Sequence, residues 1–359
     1  MKIGIDISQV VYEGSGVARF TNGLIHAVAE FGDRHEWHLF FSSLRRPFPT
    51  SLESVLKHNH ITLHKYPFPP IILSRMWNDA HVIDIQRFTG PLDWFISSDW
   101  TEPPASCKKA TMIHDLAFIR FPETVDDRIT MNQKKRIEHI KKETDIIFTN
   151  SDATRKDVIE LLGIDAKKTI TNYPGVEAQT EPIKPPKFLH SKRFILSVGK
   201  LEPRKNLRRL IEAFIDATPK NVDLFIVGEK GWGDVPKPTN QTSEAVHFLG
   251  FVNDAELSYL YENCLFFVYP SVWEGFGYPV LEAMKHGVAV ATSKTSSLGE
   301  IAHNHALLFD PENVSEISRA ITALSSDDVL RKSYETKSKK HANTFTWERH
   351  YQTMMKHLT

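Results

Sequence analysis

The chain has 359 residues, 41% of them hydrophobic, enough to build two cores of ordinary domain size. Lysine plus arginine balance aspartate plus glutamate at 44 each, so no global field recruits nucleic acid along a broad surface. The two cysteines, Cys107 and Cys264, supply neither a disulfide framework nor a zinc site, and they fit a reducing cytoplasm.

From the amino terminus, Met1 to Ser8 is apolar but broken by Asp6, lacks the long apolar region of a secretory signal, and reads as a first strand. No segment calls for a membrane span. Glu13-Gly14-Ser15-Gly16-Val17 follows, a small-residue turn where a backbone amide can approach a diphosphate, with Gly16 the choice for close approach. Further strands are expected over 37–41, 94–96, 110–113, 146–149 and 169–172, with helices over 17–30, 126–144 and 151–162. His114-Asp115 ends the 110–113 strand, at the edge that faces ligand in an open α/β sheet. Asn150-Ser151 ends another, where Ser151 also suits a helix cap. The basic density of Lys134-Lys135-Arg136 and Lys141-Lys142 is read as a solvated helix face, with contact at an anionic membrane surface as the alternative.

Prolines at 182, 185 and 186 without periodicity mark a linker over 176–192. The pattern then restarts with a strand over 193–198, a helix over 206–217 and a strand over 223–227. The expected organisation is an α/β chain with a first domain over 1–175, the linker, a second domain over 193–344, and a closing helix over 345–359.

Four stretches of the second half carry the chemistry: Ser197-Val198-Gly199-Lys200-Leu201-Glu202-Pro203-Arg204-Lys205-Asn206-Leu207, Phe248-Leu249-Gly250-Phe251-Val252, Pro270-Ser271, and Glu274-Gly275-Phe276-Gly277-Tyr278-Pro279-Val280-Leu281-Glu282. The last reads as loop and helix start, with Glu274 in the loop and Glu282 in the first helical turn. Backbone amides ahead of that helix suit phosphate or sugar hydroxyls.

From Phe194 to Asp310 these stretches resemble family 4 of the retaining glycosyltransferases, whose signature is two glutamates separated by seven residues. The resemblance implies the GT-B fold, two Rossmann-like domains with parallel sheets facing across a cleft, the closing helix crossing back onto the first. It implies a nucleotide-sugar donor, no separate cofactor, and transfer to a glycan or lipid-linked acceptor. Lys205 and Arg204 would hold the departing diphosphate; many members carry arginine directly after the glycine, where this chain has Lys200. Glu274 and the amides of Phe276 and Gly277 would meet the sugar, and Glu282 the ribose diol. Phe251 and Val252 would lie by the base, and His114 would approach the sugar from the first domain. No carboxylate cluster suited to Mg²⁺ appears, so no metal is expected and the cations replace it. Leu201 to Asn206 and Ser296 to Glu300 look most like bacterial mannosyltransferases of polysaccharide assembly. GDP-mannose is the first expected donor and UDP-glucose or another hexose the second. A cytoplasmic location follows, with peripheral contact at the inner membrane as the alternative. The rival readings are a sugar-nucleotide epimerase on the same fold and a non-catalytic nucleotide-sugar-binding protein. The epimerase would need carboxylates aligned on the inverted carbon, and a degenerate binder would lack the cations or Glu274.

Overall fold

The computed structural model describes residues 1–12, 14–177, 193–231, 233 and 244–359. Glu13 and nearly all of the expected 176–192 linker lie outside the described residues. The chain divides into two compact units, Met1–Gly175 with Thr346–Thr359, and Val176–Phe345.

The first unit holds seven strands: β1 (Lys2–Asp6), β2 (Glu36–Ser42), β3 (Ile61–Tyr66), β4 (Trp94–Ser97), β5 (Lys108–Ile113), β6 (Ile146–Thr149) and β7 (Thr169–Thr171). They form one sheet in the order β3-β2-β1-β4-β5-β6-β7, with every pairing parallel. Central strands such as β4 are buried at every position, the pattern of a sheet covered on both faces. The covering helices have readable ends. Ser15 caps the Gly16–Phe31 helix through Ala18 N, and Ser151 caps Asp152–Leu162 through Thr154 N.

The second unit repeats the scheme with β8 (Arg193–Val198), β9 (Val222–Val227), β10 (Val246–Gly250), β11 (Phe267–Tyr269), β12 (Val290–Ser293) and β13 (Leu307–Phe309). Its parallel order is β10-β9-β8-β11-β12-β13. In both sheets the direction of strand addition reverses once, beside β1 and β4 in the first and beside β8 and β11 in the second. Such a reversal opens a crevice at the carboxyl ends of the two central strands, because their following connections leave toward opposite sides.

After Phe345 the chain returns to the first unit as the Trp347–Leu358 helix, which packs on Gly16–Phe31. Glycines make the seat: a Cβ at Gly23 would stand 2.0 Å from the Trp347 ring, and one at Gly175 would stand 2.3 Å from Trp347 N. His350 is buried there, with Nδ1 3.1 Å from Tyr173 O.

Candidate active site

The loops after β8 and β11 meet at the reversal of the second sheet. Pro203–Lys205 forms a short 3₁₀ turn, and Asn206 follows with φ at 59°. Asn206 Nδ2 donates to Pro270 O at 3.1 Å and Pro311 O at 2.6 Å, which ties this turn to the ends of β11 and β13. Arg204 and Lys205 therefore stand in the turn ahead of the Leu207–Ala217 helix, which starts one residue later than the expected 206. The left-handed Asn206 is the reason, since it separates turn from helix.

The loop after β11 is held by hydroxyls. Ser293 Oγ donates to Ser271 O at 2.7 Å, Thr295 Oγ1 to Val272 O at 3.0 Å, and Ser297 Oγ to Glu274 O at 2.8 Å and Phe276 O at 3.0 Å. Val272 N donates to Arg204 O at 3.0 Å, so the two loops share main-chain bonds as well.

Glu274 is the centre of this arrangement. Its Oε2 lies 2.7 Å from Arg204 Nη1, and its Oε1 accepts from Lys205 Nζ at 2.6 Å, Ser271 Oγ at 2.6 Å and Tyr269 OH at 3.0 Å. Arg204 Nη2 also meets Glu202 at 2.8 Å, and its Nη1 donates to Trp273 O at 2.5 Å. Burial alone would raise the Glu274 pKa, but Arg204, Lys205 and the Ser271 hydroxyl overcome it and hold the carboxyl well below the usual range. Burial, and then the neighbouring Glu274 charge, raise the Tyr269 phenol, so it stays protonated and donates. The result is an anionic carboxylate gripped by two cations that each keep some exposure, 15% for Arg204 and 12% for Lys205. Tyr269 and Ser271 were not among the residues singled out from sequence, although Pro270-Ser271 belonged to a quoted motif.

Beyond Glu274 the chain turns through Gly277, at φ 98°, where a Cβ would stand 2.5 Å from Leu298 Cδ2. Only glycine fits. The helix then runs Tyr278–Lys285, so the amides of Phe276 and Gly277 precede its ladder. The Phe276 side chain is buried against Tyr278 and Phe345. Glu282 is the fifth helical residue, just past the first turn in which the sequence placed it, because Gly277 delays the helix start. Tyr261 OH donates to Glu282 Oε2 at 3.1 Å. Gly250 ends β10 at φ 69°; after it Phe251 is 67% exposed and Val252 is buried, so Phe251 alone offers a ring to solvent.

The first unit carries the remaining predicted residues. Gly16 is exposed at the first position of its helix. His114 follows β5, with Nδ1 2.8 Å from Asn150 Nδ2 and its ring edge-on to Phe20 at 4.8 Å. With the amide donating to Nδ1, the ring proton resides on Nε2. Burial lowers the His114 pKa and keeps the ring neutral. A pocket lined by Asp6, Gln9, Phe20, Ser98, Asp99 and His114 occupies the reversal point of this sheet. Asp6 and Asp99 went unremarked as site residues in the sequence, yet Asp6 ends β1 and Asp99 lies two residues past β4, and that position at a strand's carboxyl end is the signal that could have found them. Among the described residues Asp99 Oδ1 and Asn150 Oδ1 are buried without a hydrogen-bond partner.

Residues 179–341 match the family described as Glycosyl transferases group 1. An O-antigen chain mannosyltransferase B from Escherichia coli is 32% identical over 259 residues, covering 67% of this chain and 67% of the relative. A serotype-specific mannosyltransferase WbdA from the same organism is 28% identical over 221 residues, 56% of this chain but 27% of that larger protein. The chain thus spans only a fraction of WbdA. Among solved structures, sucrose-phosphate synthase from Thermosynechococcus elongatus superposes with a TM-score of 0.73 at 15% identity, over 99% of this chain and 98% of that one. Anabaena HepE in complex with UDP and glucose superposes with a TM-score of 0.69 at 19% identity, over 100% and 99%. At such identities the likeness carries the fold, which is GT-B.

Proposed function

Since the chain belongs to the glycosyl transferases group 1 family and is a nucleotide-sugar glycosyltransferase, we propose that it moves mannose from GDP-mannose to a glycan or lipid-linked acceptor with retention at the anomeric carbon. The observation that carries this reading is the buried Glu274 carboxylate bound by Arg204 and Lys205 at the reversal of the second sheet.

A diphosphate arriving here competes with Glu274 for the two cations. As the phosphate oxygens take Arg204 and Lys205, Glu274 is released to accept sugar hydroxyls, so the same ion pairs that hold the carboxylate also prepare the exchange. The C1–phosphate oxygen bond breaks on the face where the acceptor oxygen bonds to C1, and the departing diphosphate takes the acceptor proton. No enzymic nucleophile enters. Lys205, Arg204 and the amides ahead of the Tyr278–Lys285 helix stabilise the departing charge without a divalent ion. Glu282 accepts from the ribose diol.

The mannosyltransferase relatives favour GDP-mannose, whereas the UDP and glucose of the HepE complex favour a UDP-hexose as the second reading. Thermal shift with GDP-mannose, UDP-glucose, GDP and UDP separates them, since a donor at a hundredfold its dissociation constant adds about 2.7 kcal/mol. The anomeric configuration of the product then tests retention; a β-linked product from an α-linked donor would overturn it. No described helix is long and apolar enough to cross a membrane. Peripheral contact at the cytoplasmic face of the inner membrane is part of the proposal, supported by exposed Ile71, Ile72 and Met131 beside exposed Arg75 and Lys134. Failure to sediment with anionic vesicles at low salt would remove that part.

A further inference from the structure

Three histidine pairs stack face to face among the described residues: His38–His64, His81–His139 and His305–His341. In the first, the ring nitrogens bond each other, His38 Nδ1 to His64 Nε2 at 2.9 Å. The second alone has a carboxylate in reach. One donor atom from each of His81, His139 and Glu143 lies within 4.8 Å of the others.

The surroundings orient these donors. His139 and Glu143 stand one turn apart on the Asp127–Glu143 helix and share a face. His81 follows the Arg75–Asp79 π-turn in a left-handed conformation, φ 49°, which turns its ring back toward that helix. His81 Nδ1 is 2.8 Å from Trp77 O, and His139 Nε2 is 3.0 Å from Asn78 O. Each backbone carbonyl takes one ring nitrogen, which leaves His81 Nε2 and His139 Nδ1 as the ligating atoms. A ligating histidine usually bonds its other ring nitrogen to a carbonyl in this way. Glu143 is prepared likewise, with Oε2 held by Lys109 Nζ at 3.2 Å and Oε1 2.7 Å from His81 Nε2. The platform is rigid, since the Asn78 side chain bonds Trp100 O, Asn132 Oδ1 and Glu102 N.

We infer that His81, His139 and Glu143 form a binding site for one zinc-like divalent ion, with a fourth position open to water. Two imidazoles and one carboxylate suit zinc or its late first-row neighbours and disfavour magnesium and calcium, which take oxygen sets. Tetrahedral bonds of about 2.0–2.2 Å place donors roughly 3.4 Å apart, so the cluster contracts on binding. The rings, now 4° from parallel, must open, because each lone pair lies in its ring plane. The ion replaces the proton shared by His81 Nε2 and Glu143 Oε1. Exposure of 33% at Glu143 and 19% at His81 gives it a route in. Bound there, it clamps the segment around His81 to the Asp127–Glu143 helix, in the unit that does not contain Glu274.

The test titrates chelator-stripped full-length protein with Zn²⁺ by calorimetry and with Co²⁺ by visible absorption. His139→Gln keeps an N–H for Asn78 O and removes the imidazole, and His341→Gln is the control at another stacked pair. The expected result is one zinc per chain, tetrahedral cobalt bands, and a loss of roughly a hundredfold or more in affinity in His139→Gln only. Zinc should raise the melting midpoint of wild type and of His341→Gln. Equal zinc affinity in wild type and His139→Gln would overturn the assignment. Should His139→Gln fail to fold, an octahedral cobalt spectrum in wild type would overturn it by itself.

Discussion

Two glutamates, Glu102 in the first unit and Glu274 in the second, are each buried against one arginine and one lysine, yet their cations are placed differently. Around Glu102 everything is sealed: Lys109 Nζ stands at 3.0 Å and Arg136 Nε at 3.9 Å, and both cations have side chains 2% exposed. Lys109 lies on β5 and Arg136 on the Asp127–Glu143 helix, so regular elements fix both cations. Around Glu274 the cations sit in a 3₁₀ turn at a strand's carboxyl end and reach solvent. The same three charge types thus make an internal brace in one place and an exchangeable grip in the other. Access of the cations to an incoming anion, more than burial of the carboxylate, separates the two.

Removing the carboxylate charge should split them most clearly. Glu102→Gln leaves Lys109 and Arg136 without their shared buried anion and should cost about 3–5 kcal/mol, read as a lower urea midpoint for the first unit. Glu274→Gln should cost less stability, because its cations can turn to water, while turnover is lost, because an amide donates where hydroxyls need acceptors. Near-normal turnover of Glu274→Gln with the true donor would erase the distinction.

Lys205→Ala comes next. Loss of one preorganised donor to the departing diphosphate should remove about 2.7–4 kcal/mol of transition-state stabilisation. Affinity for free GDP or UDP should fall too, since both carry the diphosphate. Unchanged nucleoside diphosphate affinity would put Lys205 outside the donor site.

Acidification should sharpen the contrast by a smaller amount. Burial lowers the His350 pKa to about 4, below its value of about 6.5 in an unfolded chain. The unfolded state therefore binds the extra proton, and the stability of the first unit falls as pH drops from about 6.5 toward 4, by at most about 3 kcal/mol. Glu274 has the same sign in a lower window. Its contribution is full above the ordinary carboxylate pKa and is lost only as pH falls from there toward its depressed value. Hydrogen exchange at about pH 7 and about pH 4.5 should show the first unit loosening first. Earlier loosening around Glu274 would contradict this.

The smallest effect is expected from chelation. Turnover should survive exhaustive EDTA if cations and amides alone hold the diphosphate. Activity that vanishes and returns with Mg²⁺ would sink the metal-free mechanism, whereas return with Zn²⁺ alone would point to His81 and His139.

What was legible in the sequence follows the reach of each interaction. Strands such as β5 and β8 announce themselves as apolar runs because helices cover both faces. β3 escaped, since its Ile61-Thr62-Leu63-His64-Lys65-Tyr66 run is half polar, as suits an edge strand paired only with β2. Helix ends were readable where a side chain caps them, as at Ser151 and Asp126. The spacing of Glu274 and Glu282 was visible locally, but the grip of Arg204 and Lys205 on Glu274 depends on β8 lying beside β11, which strand order decides. His81, His139 and Glu143 were hidden for the same reason: 58 residues separate the first two, and only the packing of a π-turn on a helix unites them.

The seat of Trp347 between Gly23 and Gly175 has a consequence for how the molecule is made. The second unit is one continuous stretch and can close as soon as it leaves the ribosome. The first unit, begun earlier, lacks a wall until its Trp347–Leu358 helix has been synthesised. During that delay the Gly16–Phe31 helix bares the surface that Trp347, His350 and Tyr351 will cover, so the half translated first is the half completed last.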